Sequence, residues 1–334
     1  MKKITAVLLS AAMLIMIIAF PMTMSGCTRD PRHIRLSEVT RSVFYAPMYV
    51  ALHHGFFKEA GITVELTNAG GADRVMAALV SGSADIGLKG PEATVYTHVE
   101  GMRNHPMVFG QLTFRDGSFL MGRAPIENFE WSDLAGSHIL GGRRGGMPAM
   151  TLQYVIENSG GLSLDQLNFD TSVDFNLMVG AFEGDTRFDF VTAFEPVASD
   201  MIRRGTAYRI ASVGYSSGIL PATTFSAHQS FINDNPDVIY DFLAAIRRGL
   251  EFILANDALD VAKIISPSFP GTDIELLAAS VESYLSIGTW SLSPVMEESG
   301  FDKLQDIMIN AGHLRTRANF SDIVDNSIAK KLVS

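Results

Sequence analysis

Phe44-Tyr-Ala-Pro-Met-Tyr-Val-Ala-Leu-His-His-Gly-Phe-Phe-Lys-Glu-Ala-Gly61, continued by Ile62-Thr-Val-Glu-Leu66, sets the pattern from which the rest of the chain is read. After Pro47, the residues Met48, Ala51, Leu52 and Phe56 fall on one side of a helix, and Gly55 and Gly61 punctuate it. Ile62–Leu66 then alternates as a strand. Working backward, Ile34–Val39 reads as a preceding strand. Working forward, Asn68-Ala-Gly-Gly-Ala-Asp73 is a loop, and Val75, Met76, Leu79 and Val80 share one helical face. Ala84–Leu88 is a short buried strand that ends at Lys89-Gly90-Pro91-Glu92, where another helix begins. Strands alternating with helices predict an α/β protein whose mostly parallel sheets are flanked by helices.

The same unit returns about a hundred residues later. Asp73 begins a helix, Gly82 ends it, Asp85 opens a strand and Pro91-Glu92 follows; Asp174, Gly184, Asp189, the strand Phe190–Ala193 and Glu195-Pro196 repeat that order. Two echoing units predict two lobes of similar construction and not a solenoid. The C-terminal part reads as helical. Asn235-Pro236 opens a stripe of Ile239, Phe242, Leu243, Ile246, Leu250 and Ile253, and Thr272-x-x-Glu275 has the form of a capping box. Ser293-Pro294 is expected to open a further helix through Phe301, Leu304, Ile307 and Met308. These stripes are packing surfaces.

The 334 residues are 47% hydrophobic and 19% charged, which suits an ordinary packed protein of about two domains. The net charge of -10, with no Lys/Arg stripe, argues against nucleic-acid binding. One cysteine, Cys27, excludes a disulfide framework and any site of several thiolates. Lys2 and Lys3 precede an apolar run from Ile4 to Phe20, the layout of a secretory signal. Met24-Ser25-Gly26-Cys27 resembles a bacterial lipobox, with Met24 where Leu is usual. That resemblance implies removal of residues 1–26, a lipid on Cys27, a tether over 27–32 and an extracytoplasmic, membrane-anchored domain. Plain secretion and an uncleaved anchor are the alternatives. Removal of the leader takes away Lys2 and Lys3 and leaves a net charge of -12.

The opening stretch, together with Gly71-Ala-Asp-Arg-Val-Met-Ala-Ala-Leu-Val-Ser-Gly-Ser-Ala-Asp-Ile-Gly87 and Trp131-Ser-Asp-Leu-Ala-Gly136, resembles the extracytoplasmic solute-binding proteins of ABC importers. The branch is the one that takes nitrate, sulfonates, taurine or thiamine-type pyrimidines, and the resemblance runs from about residue 34 to 320. It implies a two-lobed, type II periplasmic-binding fold that closes on a small solute between its lobes. It also implies a permease with a cytoplasmic ATPase as partners, a monomer, and no cofactor. Ser118–Arg123 and Thr223–Ala227 resemble the crossings between lobes. Lobe one is then 33–121 plus 227–334, and lobe two 122–226.

In open α/β sheets, ligands bind beyond the carboxyl ends of strands. Five loops qualify. Phe44 and Tyr45 offer aromatic rings for stacking or for packing. Asn68 to Asp73 offers freed backbone N–H groups, with Asn68 a contact and Asp73 read as a helix cap. Lys89 and Glu92 place charges at a buried strand end. Gly141-Gly142-Arg143-Arg144-Gly145-Gly146-Met147-Pro148 opens a helix and favours an anion, with Arg143 and Arg144 as contacts. Phe194 and Glu195 are the second-lobe counterpart of Pro91-Glu92. Phe114, with Arg115 and Asp116, Thr171 to Asp174, and Tyr215 are of second rank.

No Gly-x-Ser-x-Gly elbow, His-Glu-x-x-His or cysteine pair is present, so the sequence predicts a binder and not an enzyme. His53 and His54 point to different sides of a helix and predict no metal site. A pyrimidine-forming enzyme on the same fold and a ligand-sensing lipoprotein are the alternative classes. Two signals about the ligand conflict: the arginines favour an anion, whereas Glu92 and Glu195 favour a nitrogen donor. The aromatics tip the expectation to a thiamine-type aminopyrimidine, with taurine next.

Overall fold

Short runs of three to seven residues, most of them apolar or β-branched, become strands, and the amphipathic segments between them become helices laid on the sheets. The computed structural model describes residues 30–334, so the leader and Cys27 lie outside the described residues. Along the chain the strands are β1 (His33–Glu38), β2 (Thr63–Asn68), β3 (Ile86–Lys89), β4 (Met107–Thr113), β5 (Phe119–Gly122), β6 (His138–Leu140), β7 (Asn168–Asp170), β8 (Phe190–Ala193), β9 (Tyr208–Ser212) and β10 (Thr223–Ala227). They form two five-stranded sheets, in the orders β2-β1-β3-β10-β4 and β7-β6-β8-β5-β9.

The two orders are one topology used twice. In each sheet four strands run parallel, and one runs against them in the fourth position: β10 between β3 and β4, and β5 between β8 and β9. The echo in the sequence has a local cause. Asp85 accepts from Arg35 N at 2.8 Å, and Asp189 accepts from His138 N at 2.8 Å. Each aspartate thus ties the start of its strand to the neighbouring strand. β1 and β2 keep strict register, with Ile34 beside Val64 and Leu36 beside Leu66.

The chain leaves the first sheet after Thr113 and joins the second at Phe119; it returns between Ser212 and Thr223. The boundaries expected at 121/122 and 226/227 therefore fall inside β5 and β10. An apolar run marks a strand but carries no signal for which sheet accepts it.

The helix Pro236–Ala255 buries Ile239, Phe242, Leu243, Ile246, Leu250 and Ile253, as its spacing predicts. It lies so close to the helix Ala46–His53 that a Cβ on Gly249 would stand 2.1 Å from Pro47 O. Two expectations for the C-terminal part are corrected. Asp273, not Thr272, is the N-cap of the helix Ile274–Ser286, and it makes no side-chain cap. The helix expected from Ser293-Pro294 starts at Glu298, because the preceding segment is held extended: Gln111 N donates to Pro294 O at 2.7 Å. Among the described residues no helix is long and apolar enough to cross a membrane.

Candidate functional site

The loops after β1, β2 and β3 face those after β6 and β8, and between them lies a cavity of about 650 Å³. Aromatic rings make its floor. Phe44 meets Phe194 edge-on with ring centroids 5.5 Å apart, and Phe175 meets Phe194 at 5.5 Å. Gly117 makes this junction possible, since a Cβ there would come within 2.6 Å of Phe44 and 2.9 Å of Phe194. Tyr45 lies beside Phe44 and is buried with it.

Glu92 is the main charged feature of the wall. It opens the helix Glu92–Val99 and is 3% exposed, and its Oε2 has no hydrogen-bond partner. Burial pushes its carboxyl up to about 7, against the pull of Lys89 and of the main-chain N–H groups of Glu92 and Met147. Gly90 leaves room for the group: a Cβ there would stand 1.9 Å from Glu92 Oε2. Asp116, in the first link between the sheets, also lines the cavity. It accepts from Ser118 N at 2.8 Å and from the Ser118 hydroxyl, and burial raises its carboxyl above the ordinary range. Neither Glu92 nor Asp116 takes part in an ion pair among the described residues.

The glycine–arginine loop opens the helix Met147–Gly160 from the other side. Arg143 reaches across the cavity and donates to both oxygens of Asp73, at 2.6 and 2.9 Å. The guanidinium holds the Asp73 carboxyl below its usual range. The reading of Asp73 as a helix cap is thereby corrected; Gly71 is the N-cap of the helix Ala72–Val80 and makes no side-chain cap. Tyr96 adds a second link, donating to Gly145 O at 3.0 Å. Arg144 lines the same cavity, exposed and without an ion pair among the described residues.

Phe44, Tyr45, Glu92, Arg143, Arg144 and Phe194 are thus brought together. Five other residues singled out by the sequence do not line the cavity. Asn68 is exposed, its side chain closing a turn on Gly70 N at 3.0 Å. Lys89 is fully buried behind the wall, donating to Thr94 Oγ1 at 2.6 Å and Ser226 Oγ at 3.3 Å. Desolvation lowers its ammonium to about 8. Phe114 is held in the first link by main-chain bonds to Thr289 and Leu220. Thr171 lies in a separate open groove with Asp170 and Ser172, which Arg144 also borders. Glu195 is fully buried and satisfied: its carboxylate takes Arg209, and Ser199 N and Oγ each donate at 3.0 Å. The arginine that neutralises it comes from β9 and not from the glycine–arginine loop.

Tyr96, His313 and Phe175 line the cavity without having been singled out. Tyr96 had a signal, because four residues after Glu92 is the same helical face. His313 had none, since a distant C-terminal turn carries it.

A family model described as NMT1/THI5 like matches residues 43–258. YtlA of Bacillus subtilis (strain 168), which carries the name of a binding protein, is 35% identical over 301 residues, or 90% of each chain. The periplasmic aliphatic sulphonate-binding protein SsuA of Escherichia coli superposes with a TM-score of 0.70 at 14% identity, covering 90% of this chain and 100% of that one. The periplasmic nitrate-binding protein NrtA of Synechocystis PCC 6803 gives 0.68 at 14% identity, covering 90% and 88%. At these identities the two structures speak to the fold alone.

Proposed function

The chain belongs to the NMT1/THI5-like family and has the fold of periplasmic solute-binding proteins, and from that premise we propose that it is the extracytoplasmic solute-binding component of an ABC importer. In this reading it captures a small nitrogen-containing solute and delivers it to a membrane permease driven by a cytoplasmic ATPase. A lipid on Cys27 anchors it, and the segments 114–118 and 213–222 act as the hinge, since the chain changes sheets there.

One observation carries the choice of ligand. The cavity has an aromatic floor and two buried carboxyl groups, Glu92 and Asp116, that lack a cationic partner within ion-pair distance among the described residues. Burying a carboxyl without a cation beside it is costly, most of all for Glu92, which has an oxygen with no partner at all, and a ligand that brings N–H groups to this wall relieves that cost. A thiamine-type aminopyrimidine suits such a site: flat for Phe44 and Phe194, and rich in donors. Arg144 at the same cavity keeps a zwitterionic aminosulfonate such as taurine as the second reading.

Solute released from denatured protein and identified by mass spectrometry tests this. The expected product is a nitrogen-rich, flat molecule, unchanged after incubation with the protein. Recovery of nitrate or of a sulfonate without an amine would overturn the nitrogen-donor reading.

A further inference from the structure

A helix N-terminus presents main-chain N–H groups that no carbonyl of the helix can satisfy, and it therefore draws anions. The helix Met147–Gly160 has its N-terminus on the cavity, and its N-cap, Gly146, offers no side chain. Pro148 brings no N–H, and Met150 already donates to Gly146 O at 3.2 Å. The main-chain N–H of Met147 favours the charged form of Glu92, which opens the helix Glu92–Val99 on the facing wall. The bond from Tyr96 to Gly145 O fixes the two elements against one another at this point.

Resting on the nitrogen-donor reading above, we propose that Glu92 is a specificity-determining residue. Its carboxyl lines the cavity beside the N-terminus of the helix Met147–Gly160, the seat an anion would take, and meets an N–H group of the ligand there. Three observations converge on this. Glu92 is 3% exposed yet lines the cavity, its Oε2 has no hydrogen-bond partner, and the neighbouring cation Lys89 donates instead to Thr94 and Ser226. Of the two arginines of the loop, Arg143 is already neutralised by Asp73, and Arg144 is the exposed one. An incoming sulfonate or nitrate would thus meet a seat taken by a group of its own sign.

The test uses methanesulfonate and 4-amino-2-methylpyrimidine as probes, with calorimetry on the full folded domain at pH 8. The parent is expected to prefer the aminopyrimidine. Glu92→Ala empties the seat and should gain methanesulfonate affinity at least tenfold while losing aminopyrimidine affinity by a similar factor. Glu92→Gln keeps the shape, removes the charge and should move both affinities in the same directions by less. Gly90→Ala reaches the same end by another route, because its new Cβ would stand 1.9 Å from Oε2 and drive the carboxyl off its seat. Folded variants that bind methanesulfonate no better than the parent overturn the role of Glu92 and leave the ligand reading intact. Tight methanesulfonate binding by the parent itself overturns the ligand reading instead.

Discussion

Glu38, at the end of β1, and Glu92, at the start of the helix after β3, are buried carboxyls, and burial pushes each up to about 7. Glu38 accepts from Tyr49 at 2.6 Å and pairs with Arg41 at 3.0 Å, but these contacts do not offset its desolvation. Both groups hold their protons more tightly folded than unfolded. Their contribution to stability is therefore fully present below the ordinary carboxylate range and is lost as pH rises through about 7. Melting of the parent is expected to fall between pH 5 and pH 8, and Glu38→Gln with Glu92→Gln should flatten that slope. A double variant with the parental slope would show that neither group titrates as described. Glu92 and Glu195 also show what a sequence conveys at this scale. Both stand next to a proline at the end of a strand, and nothing local separates them. The difference is Arg209, fourteen residues on, which neutralises Glu195 from the adjoining part of its sheet while Lys89 turns away from Glu92.

At the scale of elements, the periodicity of apolar residues was sufficient wherever a helix packs by a stripe. The run from Ile239 to Ile253 and the strand Phe190–Ala193 stand where their spacing puts them. It failed where a distant partner decides. The stretch after Ser293 has a proline and a following apolar pattern, yet the edge of β4 takes its carbonyl. Close approach is equally invisible to periodicity. Gly249 sits within the buried stripe of the helix Pro236–Ala255, where most residues would be accepted on hydrophobicity alone. The main chain of Pro47 stands where its Cβ would be, and a backbone atom cannot swing aside. Gly249→Ala is expected to destabilise the protein by about 1–3 kcal/mol through overpacking, despite alanine's better helix propensity. Urea denaturation checks this, and a stabilised variant would show that the two helices separate easily.

Across the whole molecule, Arg143–Asp73 and Tyr96–Gly145 tie two helices beside the first sheet to the glycine–arginine loop of the second, at the cavity. The ion pair is largely exposed, with side chains 39% and 56% accessible, so its worth is that of a surface pair, about 0.2–1 kcal/mol. That is enough to shift an open–closed equilibrium by up to roughly fivefold. Asp73→Asn should raise the radius of gyration of the ligand-free protein in small-angle scattering and weaken ligand binding by no more than that factor. No change in scattering, with binding also unchanged, would remove the pair from the closing motion. The paired construction was legible in the repeated Asp-to-Pro-Glu unit; the links were not, because each joins residues about fifty or more positions apart.

The reversed strand in each sheet also bears on the order in which a chain made from its N-terminus can take shape. β5 precedes the strands it joins, so the second sheet has all its members once Ser212 has emerged. The first sheet has four of its five by Thr113, but β3 and β4 have no common neighbour until Thr223–Ala227 arrives between them. The earlier-made half is thus the later to be finished. Throughout that interval its open edge is the surface most in need of protection from other chains.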